Sequence, residues 1–498
     1  MKMKYLFGLA LATMLFSSCS EDMMDRINED ETSKKPEMVP SKYQLTDAEV
    51  STAFSLVNGA YAWYVSSYTE QLFGTGNNQL MKAELRNPSE TASSTTFNNE
   101  WNSTYANLHN LYQMIEKCSE GGLDAGKSDL LGMAQILNAI NWGVLTDLHG
   151  DIPFSECFTG VSAPKVDSQE SIYTAIFAML DDAQVNLAKG GSNAGSQDVI
   201  YGGNTKKWSA FGHAVKARYL LHTYGRNKSV LSEVVKEAQA AIDGGFSGCY
   251  LSDANDGVNT ENSWTAYFWS RYYIGSTTTV DDLMLERNDP REILYNYHPT
   301  FRGWGNESVI AVPGDVELAS VINVVNVPYW VLNGAANLAI MSESELYFIL
   351  AEAQAILGQD ATAAFEKAVA SSVKEYYAIS DESIEDADVE AYIEGLSDLF
   401  TADPLKEIRI QKFLAQTRGE MIETYNDIRR INYTDGSYAV EMKNPNNTSS
   451  VGNRWPLRLP YGDSDVVSNP NVTAAFGSGN EAGMFIFTEN VWWAGGNR

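Results

Sequence analysis

The sequence predicts a mainly α fold in which helical hairpins stack on one another and one large loop-rich insertion interrupts them. Two apolar patterns carry this. Met133, Leu137, Ile140, Val144 and Leu148 recur at helical spacing and make one stripe. A second stripe, from Leu346 to Leu357, ends at Gly358 and is followed by a partner helix over 361–373. A third observation sets the exception: between residues 244 and 341 the helical period disappears, and Gly, Asn, Asp, Thr, Tyr and Trp dominate.

The chain begins with Lys2 and Lys4 ahead of an apolar run from Tyr5 to Phe16. That pattern marks residues 1–18 as a secretory signal peptide, too short to span a membrane. Leu15-Phe16-Ser17-Ser18-Cys19 resembles a bacterial lipobox, which makes Cys19 the expected site of lipidation. Residues 19–44 are polar and charged, and are expected to form a flexible tether.

Thr46-Asp47-Ala48-Glu49 has the form of a capping box and predicts a helix running to about Tyr64. Residues 68–99 read as loop, and Trp101, Tyr105, Leu108 and Tyr112 mark the next helix. The stripe from Met133 stops at Gly150, where Asp151-Ile152-Pro153 forces an extended exit. Ile172 to Leu187, Trp208 to His222 and Val230 to Ile242 complete the first helical block, taken as 45–243. The second block spans 342–432, and its pair around Ala353, Gly358, Phe365 and Ala368 looks like one tetratricopeptide unit. Such a unit buries its apolar face only by stacking on neighbours. Residues 433–498 are expected to be irregular.

Several blocks carry a family resemblance. Leu148-His-Gly-Asp-Ile-Pro-Phe-Ser-Glu156, Lys207-Trp-Ser-Ala-Phe211 through Lys216-Ala-Arg218, Asn288-Asp-Pro-Arg291, Ile408 to Ala415 with Asp427-Ile-Arg-Arg430, and Arg458-Leu-Pro-Tyr461 stand in order along the chain. They resemble signatures of the SusD/RagB family, with Gly462 and Asp465 departing from the closing block. The acidic Glu21-Asp22 after Cys19 resembles the surface-export signal of Bacteroidota lipoproteins. The resemblance implies one domain over 45–498 with a tetratricopeptide-like scaffold. It further implies a lipid-anchored, surface-exposed outer-membrane protein that binds oligosaccharide and delivers it to a SusC-like TonB-dependent transporter. Some relatives take peptides in the manner of RagB, so peptide binding is the alternative, with a surface glycan-degrading enzyme as a third reading.

Composition narrows the chemistry. The formal charge is −29, which speaks against a nucleic-acid partner. Cys118, Cys157 and Cys249 form no C-x-x-C pair, and with Cys19 set aside for lipid their number is odd, so at least one stays a free thiol. The five histidines show no metal-ligand spacing, and no nucleophile or phosphate-loop motif stands in a strand–helix setting. No catalytic residue, cofactor or metal is assigned. Asp281-Asp282 and Asn288-Asp289 offer oxygen ligands to Ca2+, and an Asx-capped turn accounts for them equally well.

The stronger signal is aromatic. Trp264 to Tyr273 holds six aromatics in ten residues. Flat rings match the C–H faces of sugars, and amide and hydroxyl groups match their edges. Trp264, Tyr267, Trp269 and Tyr272 are therefore candidate ligand contacts, joined by Trp304, Trp330, Phe73 and Asn77 from other loops. A charged ligand would call instead on Arg271, Arg287 and Arg302.

Overall fold

Helices with identifiable start and stop signals make up most of the chain. The computed structural model describes residues 38–76, 78–252, 262–300, 303–448 and 452–498. The signal peptide, Cys19, the tether up to residue 37, Asn77 and Arg302 lie outside them. Ser41–Arg498 form one unit.

The first block holds α1 (Ser41–Val50), α2 (Ala60–Tyr68), α3 (Asn98–Cys118), α4 (Ser128–His149), α5 (Gln169–Ala188), α6 (Thr205–His222) and α7 (Leu231–Asp243). Caps explain several boundaries. Ser168 accepts from the backbone N–H of Ser171, and Asn204 from those of Lys206 and Lys207. Gly150, at φ 79°, ends α4. Successive helices α3 to α7 pack as neighbours in a tetratricopeptide-like stack.

The N-terminal expectation needs correction. Thr46 does not cap a helix: it is the sixth residue of α1, and its hydroxyl donates to the Gln197 carbonyl at 2.6 Å. The helix starts earlier, at Ser41, continues as a π-helical stretch over Ser51–Val57, and breaks at Gly59 before α2.

The insertion is more helical than its composition suggests. It contains α8 (Ser263–Arg271), α9 (Thr278–Glu286) and one-turn helices at Glu292–Tyr295, Val316–Ala319 and Tyr329–Leu332. The aromatic run, expected outside every helix, is thus a helix itself. Its N-terminus is capped by Asn262, which accepts from Trp264 and Thr265. Three short antiparallel ladders tie distant segments together. Phe73–Gly74 (β1) pairs with Ile274–Gly275 (β5), Ile152–Pro153 (β2) with Val166–Asp167 (β3), and Cys249–Leu251 (β4) with Leu338–Met341 (β6).

The second block contains α10 (Glu343–Ile356), α11 (Thr362–Ala378), α12 (Pro404–Gln416) and α13 (Met421–Asp435), with shorter helices at Asp386–Gly395 and Ser397–Ala402 between α11 and α12. Ser342 caps α10, and Pro404 opens α12 at a position where no N–H is needed. Residues 433–498 are largely irregular, with short helices at Asp463–Ser468 and Pro470–Phe476.

Buried ion pairs join the two blocks to each other and the helices of the second block among themselves. Arg218 on α6 donates to Glu345 on α10 (Nε, 2.7 Å). Glu352 on α10 takes Arg409 from α12 at 3.0 Å and Arg430 from α13 at 2.9 Å. Removing one partner of such a pair strands the other in the core and costs about 3–5 kcal/mol. Cys118, Cys157 and Cys249 are free and buried. Among the described residues no helix is long and apolar enough to cross a membrane.

Candidate functional site

Helix α8 sorts its aromatics by face. Trp264 and Phe268, one turn apart, point into the core, where Trp264 is 0% exposed and donates its indole N–H to Asn58 at 3.2 Å. Trp330 meets Trp264 edge-on at 5.3 Å, and Trp304 lies 5.9 Å from Phe268. Trp269, Ser270 and Arg271 point outward, with Trp269 38% exposed.

The helix ends at Tyr272 in the left-handed region, φ 59°. For a residue with a Cβ this costs about 1–2 kcal/mol, so the surroundings must hold it. They do: Thr75 donates its hydroxyl to the Tyr272 carbonyl at 2.9 Å, and its N–H to the Tyr273 carbonyl at 2.9 Å. These bonds extend the β1–β5 ladder, so residues 73–76 brace the end of α8. The consequence is a fixed edge contact between Trp269 and Tyr272, ring centres 6.0 Å apart.

Trp269 opens onto a groove of about 380 Å3. Tyr297 and Tyr329 line it as well and meet each other edge-on at 5.1 Å. Tyr329 donates its hydroxyl to Asp381 at 2.6 Å, a bond that pushes the phenol up to about 12 and keeps it protonated. Asn333 donates to the Ile379 carbonyl at 2.6 Å and completes the polar edge. Three rings with amide, carboxylate and hydroxyl groups around them offer stacking faces and hydrogen bonds without a reactive pair. Asp381 is the one carboxylate on this groove among the described residues.

A family model described as SusD-like, starch-binding associating with outer membrane, matches residues 34–461. The chain belongs to the SusD-like family. A SusD/RagB family protein from Bacteroides thetaiotaomicron shares 34% identity, over 92% of this chain and 100% of that one, with a TM-score of 0.83. A chitin-binding protein at 22% identity has a TM-score of 0.70, over 91% and 99% of the two chains. A chitin-binding SusD homolog from Flavobacterium johnsoniae, at 18% identity, has a TM-score of 0.67 over 91% and 98%. These last two share the fold. No curated protein matches.

In this SusD-like chain the signature blocks are structural. Arg458 reaches across Gly150 to the His149 carbonyl, where a Cβ on Gly150 would lie 2.8 Å from the guanidinium. Trp208 is fully buried and donates to Asp198 at 2.7 Å. Arg291 is fully buried and closes on Asp289 at 2.5 Å and on Gln411 at 2.8 Å. Of the carboxylates read as possible Ca2+ ligands, Asp289 is engaged with Arg291 and Tyr392, and Asp282 with Lys443 at 2.5 Å.

The candidate contacts therefore separate. Trp269 and Tyr272 stand together at the surface. Tyr267 is half-buried and stacks its face on Trp63 at 3.9 Å. Trp264, Trp330 (3% exposed), Phe73 (1%) and Trp304 (9%) are core, and none of them lines the groove. Arg287 is engaged by Glu407 at 2.9 Å, Arg271 is exposed, and Arg302 lies outside the described residues. Tyr297, Tyr329, Asn333 and Asp381 were missed. Pro328-Tyr329-Trp330 held the one usable signal: two adjacent aromatics on one helical turn point in different directions.

Proposed function

We propose that this chain is a cell-surface lipoprotein, anchored through Cys19, that captures oligosaccharide and passes it to a SusC-like TonB-dependent transporter. The observation that carries the reading is the groove of Trp269, Tyr297 and Tyr329, three rings edged by Asn333 and Asp381. Sugar rings stack their C–H faces on such platforms while their hydroxyls pair with the edge. The family's description as starch-binding and associated with the outer membrane supports the same reading, as do the chitin-binding relatives. The protein is read as a binder that leaves its ligand intact.

Calorimetry of the chain without its signal peptide, against malto-, chito- and xylo-oligosaccharides and a set of peptides, tests this. Binding to a glycan that Trp269→Ala weakens at least ten-fold, with no product released, is the expected result. Binding to peptides alone favours the RagB-like reading, and product release makes the chain an enzyme. Co-purification of a tagged chain with a large outer-membrane β-barrel tests the transporter.

A further inference from the structure

A second groove adjoins the first at the Trp269–Tyr272 pair. Its volume is about 770 Å3, and its lining includes Asn78, Arg271, Tyr272, Tyr273, Val321 and Ile322. The walls are fixed by backbone bonds. Gly76 donates to the Val321 carbonyl at 3.1 Å, and Gly76 itself, at φ +77°, lies so close under Tyr273 that a Cβ there would stand 2.1 Å from the ring.

The charge of this groove runs against that of the chain. Acidic residues number 64 against 35 basic ones, yet among the described residues no carboxylate lines this groove and one guanidinium does. Arg271 is exposed, and among the described residues its guanidinium bonds only the carbonyl of its neighbour Ser270, at 3.2 Å. The other described arginines of the insertion pair with carboxylates, Arg287 with Glu407 and Arg291 with Asp289. Beside Arg271, Val321 and Ile322 are 40% and 43% exposed, an apolar wall next to a planar cation.

Resting on the glycan-binding reading above, we propose that this second groove takes an acidic sugar unit. Its carboxylate pairs with Arg271, its C–H face lies on Val321, Ile322 and Tyr272, and the neighbouring unit of the chain stacks on Trp269 in the first groove. A guanidinium fork matches a carboxylate in one plane through two parallel hydrogen bonds, and the apolar wall excludes water from one side. The ordinary role of an arginine at a helix C-terminus, favourable interaction with the last carbonyls, contributes to stability and leaves ligand choice unaffected.

The test compares matched acidic and neutral probes by calorimetry: oligogalacturonate against its methyl ester, and a glucuronate-bearing xylo-oligosaccharide against the unsubstituted one. In at least one pair the acidic member binds about ten-fold tighter or more. Arg271→Gln erases that preference with no more than a small fall in melting temperature, and Arg271→Lys restores part of it. Equal binding within every pair, or a preference that survives Arg271→Gln, overturns the proposal while the glycan reading stands. So does binding confined to neutral glycans. If no glycan binds at all, the glycan reading itself falls and takes this one with it.

Discussion

The Tyr329 hydroxyl and the Asp381 carboxylate meet at 2.6 Å, 52 residues apart in sequence, and bind the insertion to the turn that follows α11. This bond holds one ring of the candidate platform. Tyr329→Ala is expected to weaken glycan binding about ten-fold or more, as centrally placed aromatic contacts do. Tyr329→Phe keeps the ring and loses the tether, so its effect is smaller. Calorimetry on both variants checks the order; equal losses would mean that the hydroxyl itself is the contact.

Trp264 and Trp269 lie five residues apart on one helix and should respond oppositely to truncation. Trp264→Ala removes a fully buried indole and should cost about 3–5 kcal/mol of stability. Trp269→Ala should leave the melting temperature almost unchanged and reduce affinity. Thermal melts beside binding isotherms separate the two.

Gly76 carries both a positive φ and a ring against its α-carbon. Gly76→Ala should destabilise by about 1 kcal/mol or more through the backbone alone, and should displace Tyr273. Reduced affinity for ligands that reach the second groove, with affinity for a short neutral sugar retained, is the expected outcome.

His222 gives a pH dependence with a definite sign. Burial lowers its basicity, but Asp147 at 3.2 Å and Glu423 at 2.9 Å outweigh burial and raise it to about 9. A histidine raised above its unfolded value of about 6.5 stabilises the fold fully below pH 6.5. That contribution is lost as pH climbs from 6.5 through 9. The melting temperature should fall over this interval, and His222→Gln should flatten the decline. An unchanged slope in that variant would assign the fall to other groups, Glu49 first, whose carboxyl burial pushes up to about 10.

Cys19 offers a prediction from sequence alone. Cys19→Ala should release the protein into the soluble fraction after detergent-free lysis. Retention of the variant in membranes free of transporter would count against the lipid anchor.

The scaffold was legible because apolar residues recur at helical spacing and mark the inward face, as in α7, where Leu231, Val234, Ala238 and Ala241 are buried and Ser232, Lys236 and Gln239 are exposed. The site was less so. In α8 aromatics occupy both faces, so Trp264 and Trp269 look alike in sequence, and only packing against Asn58 and Trp330 assigns one to the core. Size misled in the same way at Pro328-Tyr329-Trp330, where the larger ring is buried and the smaller faces out. Asp381 could not be read at all. Its relevance comes from Tyr329, and nothing local to Ser380-Asp381-Glu382 signals that partner.

The ladder that joins Phe73 to Gly275 and the bond from Tyr329 to Asp381 have a consequence for when the site comes into being. The helical pairs close over short distances and form early, whereas these links must bring together chain ends some 200 and some 50 residues apart, which is entropically slower. A nascent or nicked chain ending before residue 381 can therefore have ordered hairpins and still present no complete platform. Ligand capture in such a protein reports that synthesis and folding have reached past the α10–α11 pair.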